Sequence, residues 1–171
     1  MYEPQEDSFL LLRNVEEIKG KKVLDIGTGS GIIALSLAKE NEVTAVDIDE
    51  EALDFVRKKA KEMGLKVKCF KSDLFERVRE KFDVICFNPP YLPEDKFDKG
   101  RDTTGGMGLI ERFLKKAKGH LREGGVIYLI FSSLTGDVPS LAKKMGYEVE
   151  ILEKEHYFFE DIYLIKLSPL S

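Results

Sequence analysis

The run Asn88-Pro89-Pro90-Tyr91 carries the most specific chemistry in this chain. Two prolines fix the backbone and hold the Asn amide and the neighbouring carbonyls in set directions. A flat NH2 group needs such holding, because its nitrogen lone pair is delocalised and the nitrogen is a poor nucleophile. Acceptors that take both N–H bonds can aim the lone pair at an electrophile. The candidates are the Asn88 side-chain oxygen and the Pro89 carbonyl, with Pro90 stiffening the turn and Tyr91 packing on the flat group. The gain is orientation and electrostatics.

A second cluster, Asp25-Ile26-Gly27-Thr28-Gly29-Ser30-Gly31, follows an apolar run and opens a helical pattern. Its glycines let the backbone approach a ligand, and the helix start offers free N–H donors. Ile32 stands where a dinucleotide fingerprint would place its third glycine. Asp47, ending the second strand within AVDID, lies 16 residues past Gly31, where a carboxylate can accept both hydroxyls of a ribose. A nucleoside cofactor is implied. Asp73, followed by Leu74 and Phe75, can receive an adenine amino group while its apolar neighbours pack on the ring. Asp49 is expected only to cap the helix that begins at Glu50. His120 and His156 have no ligand-spaced partner and are expected to be structural or solvent-facing, and no metal is needed.

These residues must be positioned by the elements around them. Short apolar β-rich runs alternate with helical patterns: KKVLDIG, IIALSLAKE, EVTAVDI, EEALDFVRKKAKEMG, KVKCFKSD, FDVICFNPP, GLIERFLKKAKGHLR, GVIYLIFSS. The near-continuous apolar strands Val23 to Ile26, Val84 to Phe87 and Val126 to Phe131 suit a parallel sheet covered on both faces. Gly64, Gly119 and Gly124-Gly125 read as helix ends and loops, and Ser140 to Lys144 as a last helix ending at Gly146. After it, Tyr147 to Lys154 and Tyr157 to Leu167 read as two strands with no helix between them, hence an antiparallel hairpin. The expected fold is α/β: a doubly wound, mostly parallel sheet ending in that hairpin. Leu92 to Gly108 is long, polar and glycine-rich, and reads as a mobile lid facing the substrate.

The 171 residues suit one domain, spanning residues 1–171, with 43% hydrophobic and 34% charged side chains. A net charge of -4 argues against a nonspecific nucleic-acid binder. The acidic start lacks a signal-peptide pattern, and no apolar run is long enough for a membrane helix. Two cysteines, Cys69 and Cys86, lack the spacing of a zinc site or disulfide scaffold, so a cytoplasmic location is expected.

Taken together, the motifs resemble the class I, S-adenosylmethionine-dependent methyltransferases with an Asn-Pro-Pro-Tyr motif, and within them the HemK-like release-factor glutamine methyltransferases. The resemblance runs from YEPQEDSFLLL (Tyr2 to Leu12) through DIGTGSG, AVDID, KSDLF and FNPPY to TTGGMGLIERFL (Thr103 to Leu114). The opening is similar to that of the short archaeal and eukaryotic branch, whose members are bare catalytic domains. The resemblance implies a seven-stranded, Rossmann-like sheet whose last strand is antiparallel. It places Pro4, Glu6, Asp7 and Ser8 over the methionine end of S-adenosylmethionine, with Gly27 and Gly29 beside it. Asp47 falls on the ribose and Asp73 and Leu74 at the adenine, with Asp25, Thr28, Gly31, Ile48 and Asn88 completing the expected cofactor contacts. Gly105, Gly106 and Gly108 match loosely the family's glycine segment after the lid.

The implied reaction is methylation of the side-chain amide of the Gln in the Gly-Gly-Gln loop of a class I peptide chain release factor. The short branch commonly works with a small zinc-binding activator protein, and a similar partner is expected. The alternative acceptor is an exocyclic amine of adenine or guanine in DNA or RNA, since the same motif serves any flat NH2 and base flipping could deliver one. A cofactor-binding module without catalysis is the third reading, and the intact Asn88 motif speaks against it.

Overall fold

The computed structural model describes residues 6–89 and 106–170. Helix α1 (Glu6–Val15) leads into strand β1 (Lys22–Ile26), α2 (Ile32–Leu37), β2 (Glu42–Asp47), α3 (Glu50–Met63), β3 (Val67–Lys71) and β4 (Phe82–Phe87). Helix α4 (Met107–Ala117), a 3-10 turn (Lys118–His120), β5 (Leu121–Ser132), α5 (Val138–Lys144), β6 (Tyr147–His156) and β7 (Asp161–Pro169) follow. The sheet has seven strands in the order β3-β2-β1-β4-β5-β7-β6. Pairings are parallel from β3 to β5, and β7 is antiparallel to both β5 and β6. The expected mostly parallel sheet with a terminal hairpin is the observed one.

Strand alternation sends successive side chains to opposite faces and so divides the core into two layers. One layer joins Leu24, Ile85, Phe87 and Leu129 to Phe113 and Leu114 of α4. The other joins Val23, Val84 and Ile130 to Leu10 and Leu11 of α1 and Ile33 and Leu37 of α2. Helix α3 starts on Asp49, whose side chain accepts the Glu51 amide, and ends on Gly64. Asp49 is therefore the cap expected of it, a contribution of about 1 kcal/mol.

Four boundaries differ from the sequence reading. The helix expected through Arg122 stops at Ala117, and β5 begins at Leu121, absorbing Gly124 and Gly125 that were expected in a loop. The reason is a bulge: β5 advances from Leu121 to Val126 while β4 advances from Phe82 to Val84. A Cβ on Gly125 would stand 2.9 Å from the Arg122 carbonyl oxygen and 3.1 Å from that of Phe82, so only glycine fits there. Helix α5 starts at Val138, two residues before the expected Ser140, because Asp137 caps it through the Ser140 amide. Tyr157 lies in the hairpin turn rather than in a strand. Met107 and Gly108, expected at the end of the lid, already belong to α4, capped by Gly106; residues 92–105 lie outside the described residues.

Helix α1 itself had no sequence-level expectation. Its Leu10, Leu11 and Val15 are fully buried, and its polar side holds the terminal hairpin, with Arg13 paired to Glu153 and Glu155 of β6. Among the described residues, no helix is long and apolar enough to cross a membrane.

Candidate active site

The chain winds outward from β1 to β3 in one direction and from β4 onward in the other, so a crevice opens at the carboxyl ends of β1 and β4. A cavity of about 1040 Å³ occupies it. Its walls come from the start of α1, the turn after β1, the ends of β2, β3 and β4, α4, and the β6–β7 hairpin.

The β1–α2 turn folds back over the end of β2. The Gly27 and Thr28 amides donate to the Val46 carbonyl at 2.9 and 3.1 Å. The Gly29 amide donates to Asp47 Oδ2 at 3.0 Å, and the Asp49 amide to Asp47 Oδ1 at 2.9 Å. An ionised carboxylate offers about four lone-pair sites, so about two remain on Asp47 for a pair of vicinal hydroxyls. Gly27, Thr28, Gly29, Asp47 and Ile48 all line the cavity, and Ile48 presents an apolar side chain that is 65% exposed.

Asp25 and Gly31, expected among the cofactor contacts, do not line the cavity. Asp25 points to the other face of β1, the face of Val23, and is buried. There Asp25 Oδ2 accepts the Thr28 hydroxyl at 2.8 Å, which braces the turn from behind. Burial pushes the Asp25 carboxyl up to about 7, the Thr28 bond and the Ala34 amide opposing and the Asp47 charge adding to the rise. Gly31 is the N-cap of α2 with φ 81°, and a Cβ there would stand 2.6 Å from a Val56 methyl carbon on α3. Its role is helix packing.

Beyond β3, the buried Ser72 hydroxyl donates to the Leu74 carbonyl at 2.8 Å and accepts the Arg77 amide at 3.0 Å. This fixes Asp73 and Leu74 on the cavity wall, with Asp73 paired to Arg112 of α4 at 3.0 Å. Leu74 has φ 53°, the one left-handed non-glycine among the described residues. Such strain costs on the order of 1–3 kcal/mol and gathers at ligand sites. Phe87, stacked on Phe113 at 4.5 Å, adds an apolar wall.

Asn88 and Pro89 stand at the exit of β4 and line the cavity with Asp7 and Ser8 of α1. Asn88 Nδ2 donates to Ser8 Oγ at 3.4 Å. Asn88 Oδ1 is buried and has no hydrogen-bond partner among the described residues. A buried acceptor without a donor costs about 1–3 kcal/mol, so this oxygen is suited to an N–H that arrives with a ligand. Glu6 opens α1; its side chain, and Pro4, Pro90 and Tyr91, lie outside the described residues.

The cavity also takes residues to which the sequence assigned no cofactor contact: Ser30, Ser72, Phe87, Leu109 and, from the hairpin, Tyr157, Glu160 and Ile162. Ser30, Ser72, Phe87 and Leu109 lie inside the motifs DIGTGSG, KSDLF, FNPPY and TTGGMGLIERFL and could have been found there. The hairpin residues carry no local signal, since only the sheet order brings them here. Neither His120 nor His156 lines the cavity: His120 stacks on Phe75 and bonds the Glu80 carbonyl, and His156 pairs with Asp161.

Five carboxylates, Asp7, Asp47, Asp49, Asp73 and Glu160, line the cavity, and among the described residues no Lys or Arg does. Such a lining fits a ligand with cationic centres, and Ile48, Leu74 and Phe87 fit a flat ring between them. S-adenosylmethionine combines a sulfonium, an ammonium, a ribose diol and an adenine with one carboxylate, and the described residues suit the first four.

The Methyltransferase small domain family matches residues 4–159. The chain belongs to this family and is an S-adenosylmethionine-dependent methyltransferase. It is 40% identical to the "Putative protein N5-glutamine methyltransferase MJ0928" of Methanocaldococcus jannaschii, over 96% of this chain and 90% of that protein. The release factor glutamine methyltransferase of Streptococcus pneumoniae is 39% identical over 79% of this chain, which spans only 54% of its length. Among solved structures, the E. cuniculi Mtq2-Trm112 complex, responsible for methylation of the eRF1 translation termination factor, superposes with a TM-score of 0.76 at 29% identity, covering 99% and 98% of the two chains. The T. thermophilus 16S rRNA methyltransferase RsmC, in complex with AdoMet and guanosine, superposes at 0.77 and 25% identity over 99% of this chain and 44% of that one.

Proposed function

We propose that the chain methylates, in the cytoplasm, the side-chain amide nitrogen of the glutamine in the Gly-Gly-Gln loop of a class I peptide chain release factor. The observation that carries the reading is the buried Asn88 Oδ1 at the cavity wall, which has no donor among the described residues. Asn88 Oδ1 and the Pro89 carbonyl accept the two N–H bonds of the incoming carboxamide, with Tyr91 against its flat face. Held so, the nitrogen lone pair points at the methyl carbon. When bound, S-adenosylmethionine supplies an activated methyl group on a positively charged sulfur. Transfer would form the N–C bond as the S–C bond breaks, and the extra proton on nitrogen would leave to water, so no histidine base is called for.

Within this reading, Asp47 holds the ribose, Asp73, Leu74 and Ile48 hold the adenine, and Asp7 and Ser8 face the methionine end, to which the resemblance alone assigns Pro4 and Glu6. Gly27, Thr28 and Gly29 let the backbone approach the ligand. Among the described residues the cavity wall holds carboxylates and no Lys or Arg, which supports a protein acceptor, since a nucleic acid would bring its phosphates against those carboxylates. The kinship with RsmC, which holds guanosine, favours a second reading in which the flat NH2 belongs to a nucleobase. The Mtq2-Trm112 complex supports a small activator partner, which we take to bind zinc.

Incubation of the chain with methyl-labelled S-adenosylmethionine separates the readings. The parallel acceptors are the termination factor, its Gly-Gly-Gln glutamine-to-Ala variant, bulk tRNA and DNA. Label on the unmodified factor alone supports the proposal, and label on nucleic acid supports the second reading. Transfer that appears only when the activator is added supports the partner.

A further inference from the structure

The turn between β6 and β7 presents the most exposed large apolar side chains among the described residues: Phe158 at 88% and Phe159 at 80% exposure. Their rings meet edge to face, centroids 4.5 Å apart. The turn beneath them is closed by two backbone bonds between Tyr157 and Glu160, at 2.7 and 3.3 Å. Its base is fastened to the end of β5, where the Ser133 amide donates to the Asp161 carbonyl and the Asp161 amide donates to Ser133 Oγ. The pair is thus held outward by an ordered hairpin, as an anchor for a partner requires.

Tyr157 and Glu160, the residues on either side of the pair, line the catalytic cavity. The two rings therefore stand at its rim. Around them the charges are mixed with an acidic excess: Glu153, Glu155, Glu160 and Asp161 stand against Arg13, paired to Glu153 and Glu155, and the exposed Lys154, with His156 on Asp161. Aromatic platforms for single-stranded nucleic acid come with a cationic groove that tracks the phosphates. Here the described neighbours are acidic on balance, which favours a protein surface with an apolar patch and basic flanks.

We infer that Phe158 and Phe159 are the docking anchor for the body of the methyl-accepting protein, seating an apolar, basic-flanked patch beside the acceptor loop while that loop enters the cavity. The inference rests on the release-factor reading above. It separates recognition into two parts: the hairpin tip binds the folded factor, and Asn88 orients the amide.

The test is Phe158→Ser combined with Phe159→Ser, with the zinc-binding partner present wherever the wild-type chain needs it. Both side chains are exposed, so the variant is expected to keep the wild-type thermal midpoint and affinity for S-adenosylmethionine. With the intact factor, KM is expected to rise by about tenfold or more while kcat stays within about twofold. With a short peptide carrying only the Gly-Gly-Gln loop, the variant and wild type are expected to be equal. An unchanged KM for the factor overturns the inference. So does an equal loss on factor and peptide with weakened cofactor binding, which would make the pair a cover for the cavity. A wild-type chain that methylates neither factor nor peptide overturns the release-factor reading itself, and the docking inference with it.

Discussion

The carboxylate of Asp47 accepts the backbone amide of Gly29 at 3.0 Å, tying the turn after β1 to the end of β2. The same carboxylate takes the Asp49 amide, so both oxygens are oriented before any ligand arrives. Preorganisation of this kind spares a ligand the cost of ordering its own acceptor. Asp47→Ala is expected to weaken S-adenosylmethionine binding about 100-fold, the loss of hydrogen bonds to a charged acceptor. Asp47→Asn should fall between the two. Titration calorimetry reads both, and wild-type affinity in Asp47→Ala would remove the residue from the ribose site.

Asn88→Ala deletes the buried acceptor that has no donor among the described residues. Because that oxygen has no partner among the described residues, the substitution should leave the thermal midpoint nearly unchanged. Its cost appears in turnover: kcat is expected to drop about 100-fold or more, as when one preorganised polar contact to a reacting group is removed. Steady-state kinetics on the same acceptor measures it. Near-normal turnover would show that the amide is held by something else.

Gly31→Ala tests packing rather than chemistry. The new methyl would press on Val56 at 2.6 Å and force an L residue to φ 81°. A loss of about 2–4 kcal/mol in urea unfolding is expected from overpacking and strain together. A wild-type denaturation midpoint would mean that α2 and α3 separate freely.

The buried Asp25 gives the fold a pH dependence with a definite sign. Its carboxyl rises from an ordinary 3.8 to about 7, so the folded chain binds this proton more tightly than the unfolded one. The associated stability is fully present below about 4 and is lost as pH rises towards about 7, by an amount on the order of a few kcal/mol. Asp25→Asn, which stays neutral, should flatten the curve across that window. Denaturation midpoints of both proteins from pH 4 to 8 check it, and parallel curves would mean that Asp25 does not titrate there.

How much of this was legible in the sequence depends on how local each cause is. The glycine turn, Asp47, the Asp49 cap and the Asn88 strand exit were all readable, because each needs a residue type at a fixed spacing from a strand or helix end. The terminal hairpin was readable because two apolar runs follow one another without a helical pattern between them. Asp25 was expected beside the cofactor because it adjoins the glycine turn, whereas the period-two rule sends it to the face opposite Leu24 and Ile26, off the cavity wall. Gly124 and Gly125 looked like loop residues because a bulge uses the same residue types as a turn. The cavity wall formed by Tyr157, Glu160 and Ile162 depends on β7 inserting between β5 and β6. Sheet order of that kind is a long-range property that no short motif carries.

The central claim is that Asn88 orients a glutamine carboxamide in a protein acceptor. The most direct measurement is mass mapping of the termination factor after reaction with the wild-type chain and with Asn88→Ala. The account predicts one added methyl group on the glutamine of the Gly-Gly-Gln fragment with the wild-type chain, and almost none with the variant in the same time. A methyl group on any other residue, or equal modification by both proteins, would contradict it.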